Sequence, residues 1–179
     1  MIFVVRAGSL SEEINVEDRS RAVYLETKDA RDKEIARRKA GDIELDGLMP
    51  MGDYEDNPAL AGVNVVFRYQ SKSDVDLAAA KYHSALHRGV GDDVDEDLYE
   101  IAKRSAEVVN VASGFLRKAV ESVSGLSEEI KAGPDGLSKE DAQLLGDANL
   151  ILTLYSVAMH AHRLDGDQKK RLWSPAQPT

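Results

Sequence analysis

The stretch from Asp135 to Leu164 limits what this chain can fold into more than any other. Asp135-Gly136 is a turn dipeptide, and Ser138 with Asp141 three residues later has the spacing of an N-cap and capping box. Beyond that cap Leu144, Ala148, Ile151, Tyr155 and Ala158 recur at intervals of four and three, flanked by Leu145, Leu152 and Met159. A helix with so wide an apolar stripe has to lie against other elements. Asp165-Gly166 closes the pattern, so one continuous helix is expected from Ser138 to Leu164.

The chain leading to it is more varied. Met1-Ile2-Phe3-Val4-Val5 has no basic stretch before it and is too short for a signal sequence, so residues 2–6 read as a strand. Residues 8–20 are polar and read as a connection, and Arg21 to Glu26, around Ala22-Val23-Tyr24-Leu25, as a second strand. Asp29 with Asp32 can cap a peripheral, mostly charged helix that runs to Ala40 and stops at Gly41. Gly47, Pro50, Gly52, Pro58 and Gly62 make residues 42–62 a long loop. Loops of that length are uncommon in compact domains unless they act or move.

Val63, Val65, Phe67 and Tyr69 then alternate with polar residues as in a half-buried strand, interrupted by Val66. Ser73 with Asp76 opens a helix to about Leu86, ended by Gly89 and Gly91. The longest helical pattern runs from Leu98 to Val123, with a break between Asn110 and Gly114 as one alternative, and residues 124–137 connect it to the final helix. The sum is a helix-dominated α+β fold, a few N-terminal strands followed by three or four helices. It is expected to be a single domain over 1–179, with the long acidic loop at 42–62 and a short tail at 173–179.

Composition narrows the function classes. Hydrophobic residues make up 42% of the 179 and aromatic ones 6%, so the core should be aliphatic. The absence of cysteine excludes disulfides and thiolate metal sites. Thr153, Ser156 and His160 interrupt the most apolar stretch, and no run approaches the ~20 apolar residues of a membrane span. A soluble cytoplasmic protein without a membrane partner is therefore expected. The net charge of −9 is concentrated: residues 42–62 sum to −6 and residues 92–97 to −5, on an otherwise balanced chain. Nucleic acid is disfavoured as a partner, because phosphate binding needs a basic face.

Three constellations could carry chemistry. Asp42, Glu44 and Asp46, with Gly47 at the sixth position and Asp53 at the twelfth, follow the ligand spacing of an EF-hand calcium loop. The twelfth ligand is Asp where a bidentate Glu is usual, Met49 stands at the eighth position, and Asn57-Pro58 argues against an exiting helix. An acidic solvated loop is the simpler reading. His83 and His87, four apart on a helix, could share a metal, but sequence places no third ligand. Capping or surface histidines are the better reading, because positive side chains suit a helix C-terminus. No GxSxG, P-loop or cysteine nucleophile is present, and no carboxylate pair lies in an apolar context. Trp173, the only tryptophan, either folds back over the helices or anchors a partner. Lys169, Lys170 and Arg171 beside it could dock on the acidic loops of a second copy, making a homo-oligomer.

Ala119-Val120 through Val123, Gly125-Leu126, Asp135-Gly136, Ser138 and Leu144-Leu145 together give a helix, a Gly-containing segment, an acid-Gly turn and a final helix. In that order of features, residues 98–164 resemble the tail-assembly chaperones of tailed bacteriophages. The family's tryptophan before the Gly-Leu step is replaced here by Ser124, and no functional residue carries over. The resemblance implies a non-enzymatic role in particle assembly or on the virion. The expected function is accordingly a non-enzymatic protein-binding protein without a cofactor. The rivals are an acidic, nucleic-acid-mimicking inhibitor built on the two acidic loops, and a metal-dependent enzyme using His83 and His87.

Overall fold

The computed structural model describes residues 13–45, 48–87, 98–147 and 149–163. The expected strand at 2–6, the acidic run 92–97 and the tail with Lys169, Lys170, Arg171 and Trp173 lie outside them, as do Asp46 and the expected stops at Gly89, Gly91 and Asp165-Gly166.

The fold is helix-dominated α+β. A two-residue strand β1 (Ile14–Asn15) runs directly into helix α1 (Val16–Ala40). The long loop follows and ends in a 3-10 turn at Pro58–Leu60, before strand β2 (Asn64–Phe67) and helix α2 (Lys72–His87). Helix α3 (Leu98–Ala119) passes without a loop into strand β3 (Val120–Ser124), followed by β4 (Ile130–Lys131), α4 (Lys139–Asp147) and α5 (Ile151–Arg163). The four strands form one antiparallel sheet in the order β1-β2-β3-β4, so two of them follow α3 in the chain. Val63, Val65, Phe67, Val120 and Val123 are buried in it, and the register slips by one residue between Val66 and Phe67.

Where Arg21–Glu26 was expected as a strand and 8–20 as a connection, α1 begins at Val16 instead. Asn15 caps it by accepting the Asp18 N–H at 3.0 Å, and Glu17 and Asp18 suit its positive end as Arg37, Arg38 and Lys39 suit the other. Of its 25 residues only Val16 and Ile35 are buried. The run Ala22-Val23-Tyr24-Leu25 mimics a strand core, but Leu25 is exposed and Val23 is only half-buried. Ion pairs one turn apart, Lys33 with Asp29 and Arg37 and Arg38 with Glu34, support the exposed length.

Helix α2 is capped by Ser71 rather than Ser73. The Ser71 Oγ accepts the Asp74 N–H at 3.1 Å and donates to the Asp74 carboxylate. The sequence holds two overlapping Ser-x-x-Asp boxes, and the short exit from β2 selects the first. Helix α3 does not break between Asn110 and Gly114, and it ends at Ala119, not Val123.

The expected single helix over 138–164 is two helices that meet at 105°. Its start is as the spacing predicts: Ser138 Oγ accepts the Asp141 N–H at 3.0 Å and donates to the Asp141 carboxylate at 2.8 Å. Its interruption is a Schellman motif. Asn149 takes a left-handed φ of 57°, its N–H donates to Gly146 O, and the Leu150 N–H donates to Leu145 O, both at 2.9 Å. The bend changes which residues are inside. Leu144 and Leu152 are exposed, whereas Leu150, Leu154, Val157 and Ala161 are buried. Helix α5 is thereby enclosed by α1, α2 and α3 and forms the middle of the core.

Two close backbone approaches pack turns against the sheet and against α3. Gly125 (φ 82°) sits so near Gly62 that a Cβ on it would lie 2.0 Å from Gly62 O. Gly136 (φ 102°) stands in the same relation to Arg117 O, where α3 gives way to β3. Arg68 spreads its guanidinium over the carbonyls of Ala132, Gly133 and Pro134, joining the end of β2 to the turn after β4.

No single helix among the described residues is long and apolar enough to cross a membrane. Helices α4 and α5 pass that test only as a pair bent by 105°, and α5 is mostly buried.

Candidate functional site

Antiparallel helices α2 and α3 pack closely, yet on one side they part to leave a cleft of about 390 Å³. Leu77, Ala78, Val111 and Phe115 give it an apolar lining, with Gln70 and Lys118 at the end nearest the sheet. Asp74, Lys81, Glu107 and Asn110 also line it, so charges of both signs stand beside the apolar surface.

The wall on the α3 side contains Gly114. Its backbone is helical, and a Cβ placed there would meet nothing within 4 Å. Glycine inside a helix costs about 0.5–1 kcal/mol relative to alanine, so packing gives no reason for it here. A Cβ at Gly114 would project into the open space of the cleft.

Phe115 is the rigid part of this surface. Its ring meets Tyr155 edge-on at 5.7 Å, and Tyr155 stacks on Tyr82 at 4.7 Å and donates its hydroxyl to Ala78 O at 3.2 Å. Both cleft walls are therefore braced from behind by α5. None of Gln70, Val111 and Phe115 stood out in the sequence. The available signal was Gly114 itself, which reads from sequence as a possible helix break.

A second cavity of about 300 Å³ lies between α1, α2 and α5, bordered by Thr27, Tyr82, His83, Ser156 and His160. His160 Nε2 is buried, makes no hydrogen bond among the described residues, and lies 3.5 Å from Glu26 Oε2. Burial pushes the His160 imidazole below its ordinary pKa, and Arg19 adds to that, while Glu26 opposes it.

The described metal candidates from the sequence do not line the α2–α3 cleft, though His83 borders the second cavity. His83 and His87 stack with ring centroids 6.3 Å apart on α2. The acidic loop is strapped back along α1: Lys28 donates to Met51 O and Gly52 O, Tyr24 to Gly52 O, and Arg38 to Glu44 O. Arg21 pairs with Asp56, and Lys28 lies 3.8 Å from Asp53, whose side chain faces solvent. Asp42, Glu44 and Asp53 do not come together, and among the described residues no group of three or more His, Asp or Glu is placed to hold a metal ion.

Comparison with protein-family models, with curated proteins and with solved structures found no match to this chain.

Proposed function

We propose that this chain acts by binding another protein and catalyses no reaction, with the α2–α3 cleft as its docking surface. The particle-assembly role and cytoplasmic location expected from sequence belong to this reading. One observation carries it: an apolar cleft with braced walls is lined by a helix-interior glycine that packing does not require. Such a surface suits an apolar side chain presented by a helix or loop of the partner, with polar groups at the rim to orient it. The rival based on acidic mimicry has less support, because Arg21, Lys28 and Arg38 lie against the acidic loop and offset its charge.

The test is capture of partners from the native cell by the wild-type chain and by Leu77→Glu and Gly114→Leu. Leu77 is 54% exposed, so its replacement leaves the core intact. The reading expects a protein held by the wild type, retained as salt rises, and lost from both variants. Equal capture by all three chains would refute the cleft, and steep loss with salt would favour the acidic mimic.

A further inference from the structure

We propose that a second copy of this chain docks on the α2–α3 cleft, each copy covering the other's, a step that rests on the cleft being the docking surface. The ground for it is the placement of charge around the cleft. Gln70 donates its side-chain amide to Lys118 O at 3.2 Å, which sets the start of α2 against the end of antiparallel α3. Asp74 on α2 and Lys118 on α3 therefore stand at the end nearest the sheet, with Lys81 and Glu107 at the other. The acids occupy one diagonal of the cleft and the lysines the other, so the charged rim sums to zero.

Such a pattern is its own complement. Two copies that meet through the same face are related by a two-fold axis lying in the interface. With that axis along the helices, Asp74 of one copy lies over Lys118 of the other, and Lys81 over Glu107. With the axis across the helices, Asp74 lies over Lys81 and Glu107 over Lys118. Either way every acid of the rim meets a lysine, while Leu77, Val111 and Phe115 are closed off from water by their equivalents. A uniformly acidic or uniformly basic partner would bring like charges together at two corners of the cleft, which selects against it. The net charge of −9 opposes self-association in general, and none of it lies at this rim.

The experiment is sedimentation equilibrium of the purified full-length chain over a dilution series, with far-ultraviolet circular dichroism as the check on folding. The wild type should be a dimer that dissociates on dilution. Leu77→Glu, and Lys81→Glu combined with Lys118→Glu, should each weaken the dimer by about tenfold or more while staying folded, since all three residues are exposed. Mixing the double variant with Asp74→Lys combined with Glu107→Lys should restore a one-to-one complex, because every acid again faces a lysine. Misfolding would not be rescued in that way. If Asp74→Lys costs the α2 cap that its carboxylate makes with Ser71, the Leu77 and lysine variants still decide. A wild type that is monomeric at every concentration would overturn the proposal; capture of a different protein through the cleft would then leave the docking surface standing with another partner. A dimer that both variants leave intact would also overturn it, by placing the contact on another face. A dimer that both dissolve supports it, whatever capture from the cell yields.

Discussion

Gln70 and His162, 92 residues apart in the chain, are joined by a 3.2 Å hydrogen bond from the Gln70 backbone N–H to the imidazole Nε2. In the tautomer with the proton on Nδ1, that atom donates to Ala158 O at 2.7 Å while Nε2 accepts from Gln70, and Arg68 O also stands 3.2 Å from Nε2. One buried ring thus fixes the end of α5 to the chain leaving β2. His162→Leu should strand the Gln70 N–H and lower unfolding free energy by about 1–3 kcal/mol, read by chemical denaturation.

Two glycines should respond in opposite directions to the same change. Gly125→Ala combines a positive φ with a Cβ 2.0 Å from Gly62 O, and should destabilise by about 2–4 kcal/mol. Gly114→Ala meets nothing and should stabilise by about 0.5–1 kcal/mol. Thermal melts of the two variants beside wild type check both signs.

The bend between α4 and α5 depends on Asn149 at φ 57°. Asn149→Gly should fold as the wild type does. Asn149→Val should cost about 1–2 kcal/mol, because a β-branched residue is disfavoured in the left-handed region. A valine variant with unchanged stability would show that the backbone there is not left-handed.

His160 should make stability depend on pH. Its folded pKa lies below the ordinary 6.5, so the unfolded chain takes up the proton first as the solution is acidified. The stability from burying the neutral ring is complete above pH 6.5 and declines as pH falls from there toward the folded pKa. Denaturation of wild type and His160→Gln from pH 8 to 5 should show a wild-type loss that the variant lacks. The groups facing the ring are Glu26 and Arg19 from α1, while His83 from α2 borders the same cavity. Glu26→Gln should therefore deepen the depression and enlarge the loss.

The strap along α1 offers a separate check. Lys28→Ala removes donors to Met51 O and Gly52 O, and should speed protease cleavage within residues 48–56 with little change in melting temperature. Unchanged cleavage would mean that Tyr24 and Arg21 suffice to hold the loop.

Local chemistry was legible in the amino acids alone. Ser138 and Asp141 form the capping box that their spacing implies, Gly41 ends α1, and Val63, Val65 and Phe67 bury one face of a strand. These features depend on neighbours within four residues, so the composition of a short window decides them. The helix-dominated α+β class follows from adding such windows together.

Tertiary packing decided the rest. Ala22 to Leu25 looks like a strand core in isolation, and became helix because Asn15 caps α1 and half-burial on α5 suffices for Val23. Asn149 left one apolar stripe as two helices, because the energy gained by enclosing Leu150 and Leu154 outweighs a single left-handed residue. The cleft was beyond any local pattern: its walls come from α2 and α3, its bracing from α5, and the space between them exists only once all three helices have met.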